Sequence, residues 1–315
     1  MMPTAELNMS NPTMPTSSMT DVTWGFANQG GHHDWPFVMA QAKGFFADEG
    51  INLSTKVIPG GDALAAAMGR GEIQIGRMGT PPFLQAVDNG SFPGGKMVAS
   101  HVMHNLDHFF LVVRPEIEEL SQLKGENIGV LSKGSCDGHL MKMELRRAGL
   151  DPDNDVTYLE LRERYESIDG MARGEYAAKL TTEPMLAAGE LSGAWRLVEP
   201  VSVAEPHFQW GLLVARDEFI EENPELLQRL LRAHARGASY CQQNPIETKA
   251  MVEQQMPDYA DNVIDLAVTR TLPIWNVTGE LDLPGIDTAI EMMLSIGSIQ
   301  RRPSLDEIID LRGLE

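Results

Sequence analysis

From residue 22 onward, short apolar runs alternate with longer stretches of helical period. Residues 22–27 alternate apolar and polar as a half-buried strand does. The stretch from Asp34 to Gly50 reads as one helix, with Asp34 able to cap it, Pro36 suited to its first turn and Gly50 as its stop. INLSTKVI predicts a strand, ALAAAMGRG a helix entered through Gly60-Gly61-Asp62, and EIQIG a short buried strand. TPPFLQAVDNG predicts a helix with prolines in its first turn and Asn89-Gly90 at its end, and KMVASHV a further strand. A β-α-β-α-β order of this kind implies a parallel sheet with crossover helices.

FFLVVR, residues 109–114, is apolar and β-prone, and the same alternation then restarts. ENIGVL predicts a strand, SCDGHLMKMELRRAG a helix, DVTYLEL a strand, ESIDGMARGEY a helix, and AAKLTTEPMLAAGEL a short strand entering a helix. FQWGLLVAR, residues 208–216, is apolar again and would return the chain to the first unit. The remainder is helical, with Leu226, Leu227, Leu230 and Leu231 at the spacing of a buried stripe. The pattern predicts an α/β protein of two lobes. Residues 21–113 and 208–315 form the first, residues 114–207 are inserted as the second, and residues 1–20 form a polar, disordered tail. The apolar strands near 110 and 212 are the natural hinge strands, and two crossings allow rigid-body closure.

A chain of 315 residues holds two domains of ordinary size without metal or disulfide staples. Its 45 acids against 25 bases give a net charge of −20, which argues against nucleic acid and anionic membranes as partners. No stretch approaches the roughly 20 apolar residues of a membrane span, so membrane insertion is not expected. Cys136 and Cys241 fit neither a disulfide framework nor a thiolate zinc site. No apolar segment follows a basic one near the start, so the sequence as written predicts a cytoplasmic protein, and a periplasmic one if a signal has been removed. No cofactor is expected; a monomer or a dimer is.

Four segments appear in a telling order: FVMAQAKGFFADEGINL, PGGDALAAAMGRGEIQIGRMGTPP, LSQLKGENIGVLSKGS and VARDEFIEENPELLQRLLRAHARGASYCQQNP. Together they resemble the family of sulfonate, nitrate and thiamin-precursor substrate-binding proteins, over about residues 22–250. The resemblance implies a two-lobed type II periplasmic-binding-protein fold with two hinge strands. It further implies a small organic anion or heteroaromatic ligand in the cleft, and delivery of that ligand to an ABC-type permease. Ligand contacts are then expected on the loops at the carboxyl edge of each sheet, as in open parallel sheets generally. In the first lobe these are Asn28, Gly31, His32, His33 and Trp35, the turn Gly60-Gly61-Asp62, and Arg77, Gly79 and Thr80. In the second they are Ser132, Lys133, Gly134, Ser135 and Cys136, with Thr181, Thr182 and Glu183 at the end of a later strand.

Arg77, placed just past the expected strand EIQIG, could clamp a carboxylate, sulfonate or sulfinate through two parallel N–H donors. His32 or His33 could donate to an anion, and Trp35 could stack on a planar ligand. The helix expected to start at Ser135 offers free N–H groups and a positive dipole end, which suit an anion and would also acidify the Cys136 thiol. His101, His104 and His108 span a strand end, a turn and the next strand, a spacing that shares no face. Adjacent histidines such as His32 and His33 are expected to point apart, so no metal site is expected. The alternative to a receptor is a cytoplasmic cofactor-free lyase, a decarboxylase or desulfinase. There Arg77 would hold the leaving acid group, and His32, His33 or His108 would protonate the carbanion. Desulfinase-like enzymes of the resembling fold carry a cysteine in the first opening loop, where this chain has Gly31-His32. Thiamin-pyrimidine synthases carry a lysine where it has Arg77.

Overall fold

The computed structural model describes residues 19–28, 31–103, 108–162, 169–200 and 207–314. Residues 1–18 of the expected tail and His104 lie outside the described residues, and Thr20, counted with the tail, begins the first strand. Two five-stranded sheets organise the chain. The first contains β1 (Thr20–Phe26), β2 (Ile51–Val57), β3 (Ile75–Gly79), β4 (Gly95–Ser100) and β10 (Gly211–Arg216), in the order β2-β1-β3-β10-β4. The second contains β5 (Phe110–Val113), β6 (Asn127–Val130), β7 (Thr157–Glu160), β8 (Ala178–Thr181) and β9 (Arg196–Pro200), in the order β7-β6-β8-β5-β9. Each sheet has three parallel strands followed by one antiparallel strand, β10 in the first lobe and β5 in the second. Each antiparallel strand arrives straight from the other lobe, so the same topology occurs twice without a repeat in sequence.

Local chemistry explains several differences from the sequence pattern. The helix expected from Asp34 to Gly50 is broken into Trp35–Ala42 and Phe45–Asp48, because Gly44 takes φ +73°, a left-handed conformation that glycine adopts without a Cβ penalty. β3 lies three residues beyond EIQIG. The Gln74 side chain accepts from the Thr23 N–H at 2.9 Å, and regular pairing begins at Ile75, with β1 on one edge and β10 on the other. Arg77 therefore stands inside a buried strand, opposite Leu213, rather than beyond its end. Phe110–Val113, counted with the first lobe by its position in the chain, is hydrogen-bonded between β8 and β9 of the second sheet. All four of its residues are buried, and a run buried on both faces looks the same in either sheet. The two crossings thus fall between Ser100 and Phe110 and between Pro200 and Gly211. A long helix starts at Pro224 and runs to Gln243, packing Leu227, Leu230 and Ala233 under the first sheet with Trp24 and Phe37. Among the described residues no helix is long and apolar enough to cross a membrane.

Candidate functional site

A cavity of about 60 Å³ lies between the two sheets, walled by both lobes and by the two crossings. The lobes are shut upon each other. Ser132 Oγ of the second lobe donates to Asp62 Oδ1 of the first at 2.9 Å, and the His32 N–H donates to the Glu183 carbonyl at 3.1 Å. Arg270, on the helix Asp261–Thr271, donates to Glu183 Oε1 at 2.9 Å. Gly79 has a steric part in this closure, since a Cβ there would sit 2.8 Å from Cys136 Sγ.

Arg77 is the charged centre of the first-lobe wall and is 7% exposed. Its Nε pairs with Asp34 Oδ1 at 2.7 Å, and its Nη2 donates to the Asn28 carbonyl at 2.9 Å and to Asn28 Oδ1 at 3.2 Å. Two of its nitrogens are thereby fixed by the protein. Among the described residues Nη1 meets no acceptor. A buried guanidinium anchored on one side and bare on the other is prepared for an anion, with its rotamer already paid in folding entropy.

Four histidines gather beside it. His32 and His33 rings stand 3.9 Å apart between centroids, and His33 lies 4.6 Å from His108 and 5.5 Å from His101. The adjacent pair does not diverge as expected, because His32–Asp34 forms a 3-10 turn rather than extended chain. Burial drives all four rings toward the neutral form: it lowers His32 to about 3, and takes His33, His101 and His108 well below the ordinary histidine range. Neighbouring rings and the Arg77 charge push His33 and His108 the same way. Of the four, His33, His101 and His108 line the cavity.

The second-lobe wall is less charged. The helix Cys136–Arg147 starts at the cavity, but the polar side chains at its start are bonded within their own loop. Asp137 Oδ2 accepts from the Leu131 N–H at 2.7 Å, and the Ser135 hydroxyl bonds to the Ser132 carbonyl at 2.7 Å and to the Asp137 carboxylate. Burial raises the Asp137 carboxyl, while the hydrogen bond from Ser135 opposes it. Cys136 lines the cavity, yet burial raises its thiol well above the ordinary range and Asp137 adds to the effect. The expected acidification of this thiol is therefore overturned: desolvation of the thiolate and a neighbouring carboxylate outweigh the helix dipole.

Of the expected contacts, the cavity is lined by Asn28, His33, Gly61, Arg77, Gly79, Ser135, Cys136 and Thr182. The others sit elsewhere. The Trp35 indole is packed against Trp275 in the first-lobe interior, on the helix face turned from the cleft. Thr80 is spent on the Gln209 carbonyl. Ser132 and Glu183 join the lobes, Gly134 packs against Asp62, and Gly31 lies 3.4 Å (from a built Cβ) from Thr182 Oγ1. His32 stands behind His33, outside the cavity lining. The sequence reading missed Trp210, Phe109 and Asp137. Trp210 supplies the aromatic surface assigned to Trp35, with its ring 5.6 Å from His108 and 5.8 Å from Phe109. Its position at the second crossing, just before an apolar strand, was the available signal.

Residues 33–248 match the family model described as NMT1/THI5 like. A candidate binding protein of Bacillus subtilis (strain 168), YtlA, is 18% identical over 75% of this chain and 71% of its own length. A protein of Bordetella bronchiseptica RB50 superposes with a TM-score of 0.81 at 19% identity, covering 93% of this chain and 95% of that one. The periplasmic aliphatic sulphonate binding protein SsuA from Escherichia coli superposes with a TM-score of 0.71 at 18% identity, covering 92% and 91%.

Proposed function

The chain belongs to the NMT1/THI5-like family, and on that premise we propose that it is a solute receptor whose lobes close over a compact organic anion. The observation that carries this reading is Arg77, a buried guanidinium held by Asp34 and Asn28 on one side and lining the interlobe cavity. A water needs roughly 10–15 Å³ of such a cavity. At about 60 Å³ the space suits an acid headgroup of about four to six non-hydrogen atoms, such as a sulfonate, sulfinate or carboxylate. Trp210 and Phe109 offer the apolar surface for the rest of the ligand. The likeness to the Escherichia coli sulphonate receptor supports a periplasmic place of work and delivery to an ABC-type permease.

A lyase would need a proton held near the substrate. The rings of His33 and His108, driven toward the neutral form by burial, keep only a weakly acidic N–H near neutral pH, and the raised Cys136 thiol is a poor nucleophile. These features favour the receptor. Calorimetric titration with a panel of alkanesulfonates, sulfinates and aryl carboxylates tests the reading. At least one should bind, and Arg77→Lys, which keeps the charge but loses the planar fork, should weaken it by about tenfold or more. An affinity unmoved by Arg77→Lys would remove Arg77 from the site, and conversion of a bound ligand to product would restore the enzyme reading.

A further inference from the structure

We propose that His32, His33 and His108 form a binding site for one divalent transition-metal ion of the zinc class, with its open coordination position turned to the interlobe cavity. One ligand nitrogen from each ring lies within 4.8 Å of the others. A tetrahedral ion with metal–nitrogen distances of about 2.0–2.1 Å holds its ligands about 3.3 Å apart, so side-chain rotations of about 1 Å complete the geometry.

The nitrogens are available. Among the described residues, His32 Nε2, His33 Nδ1 and both ring nitrogens of His108 are buried without a hydrogen-bond partner, and the three residues are 0%, 6% and 2% exposed. Native proteins rarely bury so many orphaned polar atoms in one place, since each costs about 1–3 kcal/mol. The second layer is also in place. His32 Nδ1 lies 3.4 Å from the Glu183 carbonyl, and donation there fixes the tautomer that leaves the Nε2 lone pair free, the usual arrangement behind a metal-bound imidazole. Arg77 would oppose a cation, but its charge is offset by Asp34 at 2.7 Å. His33 and His108 line the cavity, so a fourth ligand, water or an anion, reaches the ion from there. Nitrogen ligands without thiolate or carboxylate suit zinc, copper, nickel or cobalt rather than magnesium or calcium.

The site stands apart from the receptor reading, because the test contains no organic ligand. The metal-stripped full-length protein is titrated with Zn²⁺, and separately with Co²⁺ while the visible spectrum is read. One equivalent should bind, and Co²⁺ should give the intense bands of a four-coordinate nitrogen site. His33→Phe and His108→Phe should each lower Zn²⁺ affinity by about tenfold or more, whereas His207→Ala, at an exposed histidine, should not. Absence of stoichiometric binding by the parent protein overturns the proposal. So does a Co²⁺ spectrum of octahedral type, or loss of binding in His207→Ala alone. If the phenylalanine variants fail to fold, ring ¹⁵N shifts of the parent decide: resonances of these three histidines must move with Zn²⁺, and movement of others instead refutes the site.

Discussion

In each lobe a parallel trio of strands is closed by an antiparallel strand delivered from the other lobe, yet the two lobes bring different chemistry to their shared cavity. The first turns inward a guanidinium and, with its crossing, three imidazoles. The second turns inward Leu131, Cys136 and Thr182, with Asp137 and Ser135 bonded largely to their own loop. A common scaffold has been divided into a wall that recognises and a wall that covers. The contrast places ligand selectivity on the first lobe and the energy of closure on the residues that join the rims.

The sharpest way to break this comparison is at Arg77. Arg77→Ala should cost about 3–5 kcal/mol in stability, because it takes the guanidinium away from the buried Asp34 carboxylate. Denaturant unfolding would show this, and adding Asp34→Asn should recover part of it. A loss under 1 kcal/mol, on the order of a surface pair, would mean that the charged wall is no more committed than the exterior.

Acid should act next. Burial lowers His139 and His234 to about 4, whereas in the unfolded chain each titrates near the ordinary value of 6.5. The unfolded state binds more protons between those values, so stability is full above them and falls as pH drops. The loss is roughly 1.4 kcal/mol per histidine near pH 5.5. Asp137 and Glu183, raised by burial, oppose this at lower pH, within the window above their unfolded values. His234→Phe should flatten the slope of stability against pH by one histidine's share; an unchanged slope would show that this ring is not buried neutral.

Smaller effects should appear at the rims. Glu183→Gln removes one of the two carboxylates that hold the half-exposed Arg270, Glu190 being the other, and should weaken the closed form by about 1 kcal/mol, seen as a larger radius of gyration in X-ray scattering. Ser132→Ala removes the hydrogen bond to Asp62 and should cost about 1 kcal/mol of closure. If either rim change altered which anion is preferred, rather than how tightly all are held, the division between the walls would fail.

The fold was largely legible, because alternation of apolar runs with helical periods marks α/β units wherever the strands are buried. What the sequence concealed depends on pairing. β3 slipped three residues because both EIQIG and IGRMG satisfy a buried strand, and only β1 and β10 choose between them. Phe110–Val113 changed lobes for the same reason. In the site, loop positions were legible from the rule that ligands sit at strand ends, and Arg77, Asn28 and Cys136 do line the cavity. Trp35 and Trp210 exchanged roles because an indole beside a helix start can face either way until the opposing helix is known. The histidines gathered through a 3-10 turn and a chain crossing, neither of which leaves a periodic mark.

The most direct measurement is a crystal structure with the tightest-binding anion of the panel. The account predicts its acid group within about 3 Å of the Arg77 guanidinium, with the lobes shut and Ser132 still bonded to Asp62. An anion seated on the outer surface, with the cavity between the lobes left empty, would contradict it.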